Sequence, residues 1–175
     1  MRHAPLEAGA LGRAVDAPAA SARRTEIALD SGSPEATERI GARVGAILAD
    51  GDVVALTGEL GAGKTCLARG ILRGLGVADV VQSPSFVVER RYAGRLAAHH
   101  LDLYRIEGAR AIGELGIPDR FAESGVFVVE WADRAAGFLP DQRLEVAIED
   151  LGGTERRVRI AGPRARLAPL AAVAG

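Results

Sequence analysis

The segment Gly58-Glu59-Leu60-Gly61-Ala62-Gly63-Lys64-Thr65 constrains this chain more than any other stretch. It satisfies G-x-x-x-x-G-K-[ST], a pattern expected roughly 0.001 times in a shuffled chain of this composition. Its glycines let the backbone curl until N–H groups point inward at phosphate oxygens. A following helix would aim its positive end at the same place. Lys64 is the only lysine among 22 basic residues, and the chain has no asparagine. With abundant Ala and Gly, this reads as the coding bias of a GC-rich genome, under which most lysines drift to arginine. The one retained here suits a point charge for the β- and γ-phosphates, and the Thr65 hydroxyl suits Mg²⁺.

The context expected of such a loop is present. Asp52 to Thr57 is a short apolar run, the signature of a strand buried on both faces, and a helix is expected from about Lys64 to Leu75. Upstream, Thr25 to Leu29 reads as a strand. Ser33-Pro34 then opens a helix with Ile40, Val44, Ile47 and Leu48 at helical spacing. Downstream, Phe86 to Tyr92 and Arg95 to Leu103 read as a hairpin turning at Ala93-Gly94. A helix is expected over about 109–115, a buried strand over Val126 to Val129, and a closing strand pair around Gly152-Gly153. The expected fold is α/β, a P-loop NTPase-like mixed β-sheet flanked by helices on both faces. Residues 1–23 and 163–175 read as flexible tails around one ATPase domain over 24–162.

Composition narrows the function. A net charge of −1 argues against gripping nucleic acid by bulk charge, and 4% aromatic residues offer little for stacking on bases. The single cysteine fits a reducing compartment, and no apolar run reaches the length of a membrane span, so a cytoplasmic location is expected.

A P-loop needs a carboxylate near Mg²⁺, usually at the end of a buried strand. Glu130 closes Val126-Phe-Val-Val-Glu130-Trp131, and Asp102 sits in His100-Leu-Asp102-Leu-Tyr104-Arg105. Glu130 is the expected metal ligand beside Thr65, and Asp102 a second acid ordering water or metal; the residues alone leave these roles exchangeable.

These elements occur in a telling order: GELGAGKT at 58–65, Ser83-Pro84-Ser85-Phe86, HxDxYR at 100–105, Glu114-Leu115-Gly116 with Asp119, Glu130-Trp131 and Leu139-Pro140. In that order they resemble the bacterial tRNA threonylcarbamoyladenosine biosynthesis ATPase family, the TsaE type. The resemblance implies a small ATPase using ATP and Mg²⁺. By the same resemblance it would work with a threonylcarbamoyl-transferase subunit and that subunit's inactive paralogue, meet tRNA only through the complex, and hydrolyse ATP to reset the complex between turnovers. It implies nucleotide binding by Glu59, Leu60, Gly61, Ala62, Gly63, Lys64, Thr65 and Cys66, and catalysis by Lys64, Asp102 and Glu130. Ser83, Pro84, Ser85 and Phe86 would form a switch near the γ-phosphate, with Trp131 beside the metal-shell glutamate. The family's usual threonine is Ser85 here, without the stiffening methyl, and its usual threonine after Thr65 is Cys66, a weak donor.

Other residues have plainer readings. Cys66 reads as a small packed side chain rather than a redox centre. His99 and His100 face opposite sides of a strand, one structural and one exposed, with no cluster for a metal site. Tyr104 and Arg105 suit nucleotide, partner or surface equally. Arg90, Arg91, Arg95, Arg156, Arg157 and Arg159 read as solvated strand faces. The Ser31 to Ser33 junction is a candidate for approaching adenine. A small-molecule kinase is the alternative, with Arg110 or Arg120 over the phosphates. The guanine-reading N-K-x-D motif has no asparagine to use.

Overall fold

The computed structural model describes residues 24–84 and 87–171. Its centre is the pair of apolar runs: β2 (Val53–Thr57) and β5 (Val126–Glu130) pair in parallel, Leu56 opposite Glu130. β4 (Ala98–Asp102) is parallel to β5 on its far side, with Asp102 opposite Glu130. β6 (Leu144–Gly152) runs parallel to β2 on the other side. Antiparallel strands finish the sheet: β3 (Glu89–Tyr92) beyond β4, then β7 (Glu155–Pro163) and β1 (Arg24–Ser31) beyond β6. The order is β1-β7-β6-β2-β5-β4-β3.

Alternation along the buried strands supplies two cores. Val54, Leu56, Val126 and Val128 face α1 (Pro34–Ile47) and α2 (Lys64–Gly74). Val53, Ala55, Phe127 and Val129 face α3 (Gly108–Glu114), α4 (Ile117–Arg120) and a 3-10 turn at Ala132–Ala135. The expected mixed sheet with helices on both faces is what forms. Ser33 caps α1, its side chain accepting from Ala36 N at 3.2 Å, with Pro34 next. α1 and α2 pack backbone to backbone. A Cβ on Gly41 or Gly45 would strike the Leu67 or Ile71 carbonyl, and one on Gly70 or Gly74 the Glu38 or Ala42 carbonyl. No described helix is long and apolar enough to cross a membrane.

Several expectations need correction. Residues 164–171, read as tail, form α5 (Arg164–Ala171), because Leu167 and Leu170 bury against the first core. The N-terminal 1–23 and residues 172–175 lie outside the described residues. The hairpin turn is wider than Ala93-Gly94, spanning 93–97, with Arg95 folded over the end of α1. Its guanidinium donates to the Gly45 and Leu48 carbonyls at 2.8 and 2.7 Å and closes the end of α1. His99 and His100 do face opposite sides, yet neither is exposed, since both faces of β4 are covered.

Candidate functional site

Parallel pairing decides where the chemistry collects. The carboxyl ends of β2, β4 and β5 lie at one edge, where open α/β sheets bind ligands. β2 delivers the glycine-rich loop there, β4 delivers Asp102 and β5 delivers Glu130. Leu60, Gly61, Gly63, Lys64, Thr65, Ser83, Asp102, Tyr104, Arg105, Glu130 and Trp131 line a single cleft of about 490 Å³. The loop's glycines have specific tasks. A side chain at Gly58 would meet the Ile148 carbonyl, and Gly63, the residue before α2, adopts φ 109°.

Lys64 is buried beneath the loop. Its Nζ donates to the Gly58 and Glu59 carbonyls, both at 2.7 Å, and lies 3.7 Å from the centre of the Trp131 ring. Burial pushes its ammonium below the usual lysine range, while the charges of Glu130, Asp102 and Asp133 pull the other way. Trp131 reaches this position through a left-handed backbone, φ 57°. Val88, at φ 66°, is the other described non-glycine residue with positive φ, so both such residues flank the site.

The two acids are held differently. Glu130 is 2% exposed; its Oε2 accepts from Thr65 Oγ1 at 2.8 Å and its Oε1 lies 2.8 Å from His100 Nε2. Asp102 accepts from Ser83 Oγ at 2.9 Å and from the Tyr104 N–H at 2.9 Å. That contact ties the first residue of the expected switch to the second acid. Pro84 is buried, and its carbonyl accepts from Val87 and Val88; Ser85 and Phe86 lie outside the described residues. Tyr104 packs on Trp131, ring centres 4.9 Å apart.

Thr65 and Glu130 present hydroxyl and carboxylate oxygens to an open cleft. Among the described residues no group of three or more His, Cys, Asp or Glu could hold a metal ion. That donor set fits Mg²⁺, which takes one or two protein oxygens and completes its shell with phosphate and water.

The remaining expected residues sit elsewhere. Cys66 lies outside the main cleft, in a smaller one of about 230 Å³ across the loop, with Pro34, Thr37, Gly61, Ala62, Gly63, Gly153, Thr154 and Arg156. Its Sγ donates to the Pro34 carbonyl at 3.2 Å, and burial pushes the thiol up, as for a packed side chain. Arg156, read as a solvated residue, instead donates to the Ala62 carbonyl at 2.9 Å. Arg157 and Arg159 do pair in solvent with Asp30 and Glu149. Arg110 and Arg120 line neither cleft: Arg110 pairs with Glu114 on α3, and Arg120 with Glu89 at 2.6 Å. Sequence reasoning missed Asp133 and the His100–Glu130 contact. Only half of the latter was legible, Glu130 being the one polar residue of β5, whereas β4 also carries His99 and Asp102.

Comparison with known proteins bears on the family and the fold. The family model described as "Threonylcarbamoyl adenosine biosynthesis protein TsaE" matches residues 31–158. The chain is 36% identical over 131 residues to the tRNA threonylcarbamoyladenosine biosynthesis protein TsaE of Treponema pallidum (strain Nichols), covering 75% of this chain and 97% of that protein. It is 39% identical over 127 residues to the protein of the same name from Bacillus subtilis (strain 168), covering 72% and 79%. The crystal structure of Bacillus subtilis YdiB superposes with a TM-score of 0.67 at 33% identity, over 86% of this chain and 94% of that one.

Proposed function

Because the chain belongs to the TsaE family of threonylcarbamoyl adenosine biosynthesis proteins, we propose that it is the Mg²⁺-dependent ATPase subunit of the machinery that makes threonylcarbamoyladenosine in tRNA. The observation that carries the ATPase reading is the cleft itself. A complete phosphate loop and two strand-end acids face one space.

The loop from Glu59 to Thr65 cradles the phosphates with backbone N–H groups, and Lys64 leaves its two carbonyl partners to meet the β- and γ-phosphates. The smaller cleft beside Pro34 and Thr37 takes the nucleoside, with Cys66 in its wall. Bound Mg²⁺ would neutralise charge on the transferred phosphoryl group. Thr65 and Glu130 would hold it. Asp102 orients the attacking water, and its contact with Ser83 couples that acid to the segment 83–86. Tyr104, Arg105 and Trp131 wall the phosphate end. The work is positioning and charge neutralisation, which suits a reset step that forms no product bond. The partners under this reading are the threonylcarbamoyl-transferase subunit and its inactive paralogue, in the cytoplasm, with tRNA met only through the complex.

Phosphate release from ATP, measured for the purified chain alone and with both partners, tests this. Wild type is expected to turn over only with Mg²⁺, and Glu130→Ala and Asp102→Ala to fall by about 100-fold or more. Full turnover in either variant would overturn the assignment.

A further inference from the structure

We propose that His100 is a positioning residue that holds the Glu130 carboxylate in its metal-facing orientation from inside the sheet. The proposal rests on reading Glu130 as a Mg²⁺ ligand. His100 lies on β4 opposite Val128 of β5, and Glu130 is the next residue along β5 on the same face. The imidazole is fully buried, its Nε2 2.8 Å from Glu130 Oε1. A carboxylate that binds metal only accepts, so under the metal reading His100 donates through Nε2. The other oxygen accepts from Thr65 on α2. Two donors from two elements therefore fix the carboxylate before any metal arrives, and such outer partners tune metal sites.

The second nitrogen is the telling one. His100 Nδ1 is buried with no hydrogen-bond partner among the described residues. On its own face of the sheet it has Ala98, Val126 and Val128 as apolar neighbours, with Arg90 opposite it on β3. An aliphatic side chain there would avoid the cost of an unmatched polar atom. The neighbouring His99 shows what a purely structural histidine looks like here. Its Nδ1 meets Glu89 at 2.9 Å, its Nε2 meets the Ser124 carbonyl at 3.2 Å, and its ring stacks on Phe127. Among the described residues His100 keeps a single side-chain hydrogen bond, and that bond goes to the site acid. Local rules broken in this way mark function.

Mg²⁺ is titrated into each variant saturated with a non-hydrolysable ATP analogue, following the fluorescence of Trp131, the chain's only tryptophan and next to Glu130. His100→Leu and His100→Asn, which cannot donate at the Nε2 position, are expected to raise the half-saturating Mg²⁺ concentration about 10- to 100-fold. His100→Gln, whose amide can, is expected to stay near wild type. Analogue affinity in EDTA is expected to be unchanged in all three. If His100→Leu does not fold, the Gln and Asn pair decides. Wild-type Mg²⁺ affinity in His100→Asn, while Glu130→Gln loses it, overturns the positioning role alone. Unchanged affinity in Glu130→Gln overturns the metal reading of Glu130 and the positioning role with it.

Discussion

Lys64 carries opposing demands that separate folding from binding. Burial disfavours its charge, while nearby acids and two carbonyls retain it. Lys64→Ala is therefore expected to melt at about the wild-type temperature without nucleotide. It should lose the nucleotide-induced rise, which corresponds to about 2.7 kcal/mol at a hundredfold excess over Kd. A preserved rise in a thermal-shift titration would contradict this. Glu89 makes a pH prediction. Burial pushes its carboxyl up, but His99, Arg120 and Arg91 outweigh that and hold it below the usual range. A folded value below the unfolded one, about 4.3, gives stability that is present above that pH and lost as the pH falls through the folded value. Glu89→Gln should thus be less stable than wild type at pH 7, with the gap closing on acidification in urea melts. A gap independent of pH would contradict the linkage. The loop, Asp102 and Glu130 were legible from residue type and spacing, and Trp131 only through the family resemblance. Arg95 and Arg156 were not, because a strand arginine reads as solvated until the carbonyls it reaches are known.

At the scale of elements, α1 and α2 meet through glycines, which inverts an ordinary expectation. Glycine to alanine in an exposed helix stabilises by about 1 kcal/mol. Gly113 on α3 has open space, and Gly113→Ala should follow that rule. At Gly70 the added methyl presses on the Glu38 backbone, so Gly70→Ala should cost about 1–3 kcal/mol. Denaturation midpoints of the two variants moving in the same direction would contradict the packing. Element types could be read from the sequence because caps and apolar runs are local signals. Ser33-Pro34 set the start of α1, and Val53 to Leu56 read as a doubly buried strand. α5 escaped notice because Arg164–Ala171 is short, contains Pro169, and shows only Leu167 and Leu170 as a buried pair.

For the whole molecule, α5 ties the end of the chain to the first core, away from the cleft. Arg43 donates to the Leu170 carbonyl at 2.9 Å, and Arg166 pairs with Asp52. Two leucines buried contribute about 3–6 kcal/mol as an upper bound. A chain ending at Pro163 should lose up to about 3–6 kcal/mol in stability while binding nucleotide with unchanged affinity; weakened binding, measured calorimetrically below the melting range, would contradict that separation. The sheet order follows from physics the sequence only hints at. Buried strands had to be central, but which neighbours they take depends on tertiary packing. The central claim is that this cleft powers tRNA modification. The most direct measurement is threonylcarbamoyladenosine content of tRNA, by nucleoside mass spectrometry, after depleting the protein and restoring wild type or Lys64→Ala. Loss of the modification, rescued by wild type alone, is the predicted result. Unchanged modification in depleted cells, with no second copy of the gene, would contradict the account.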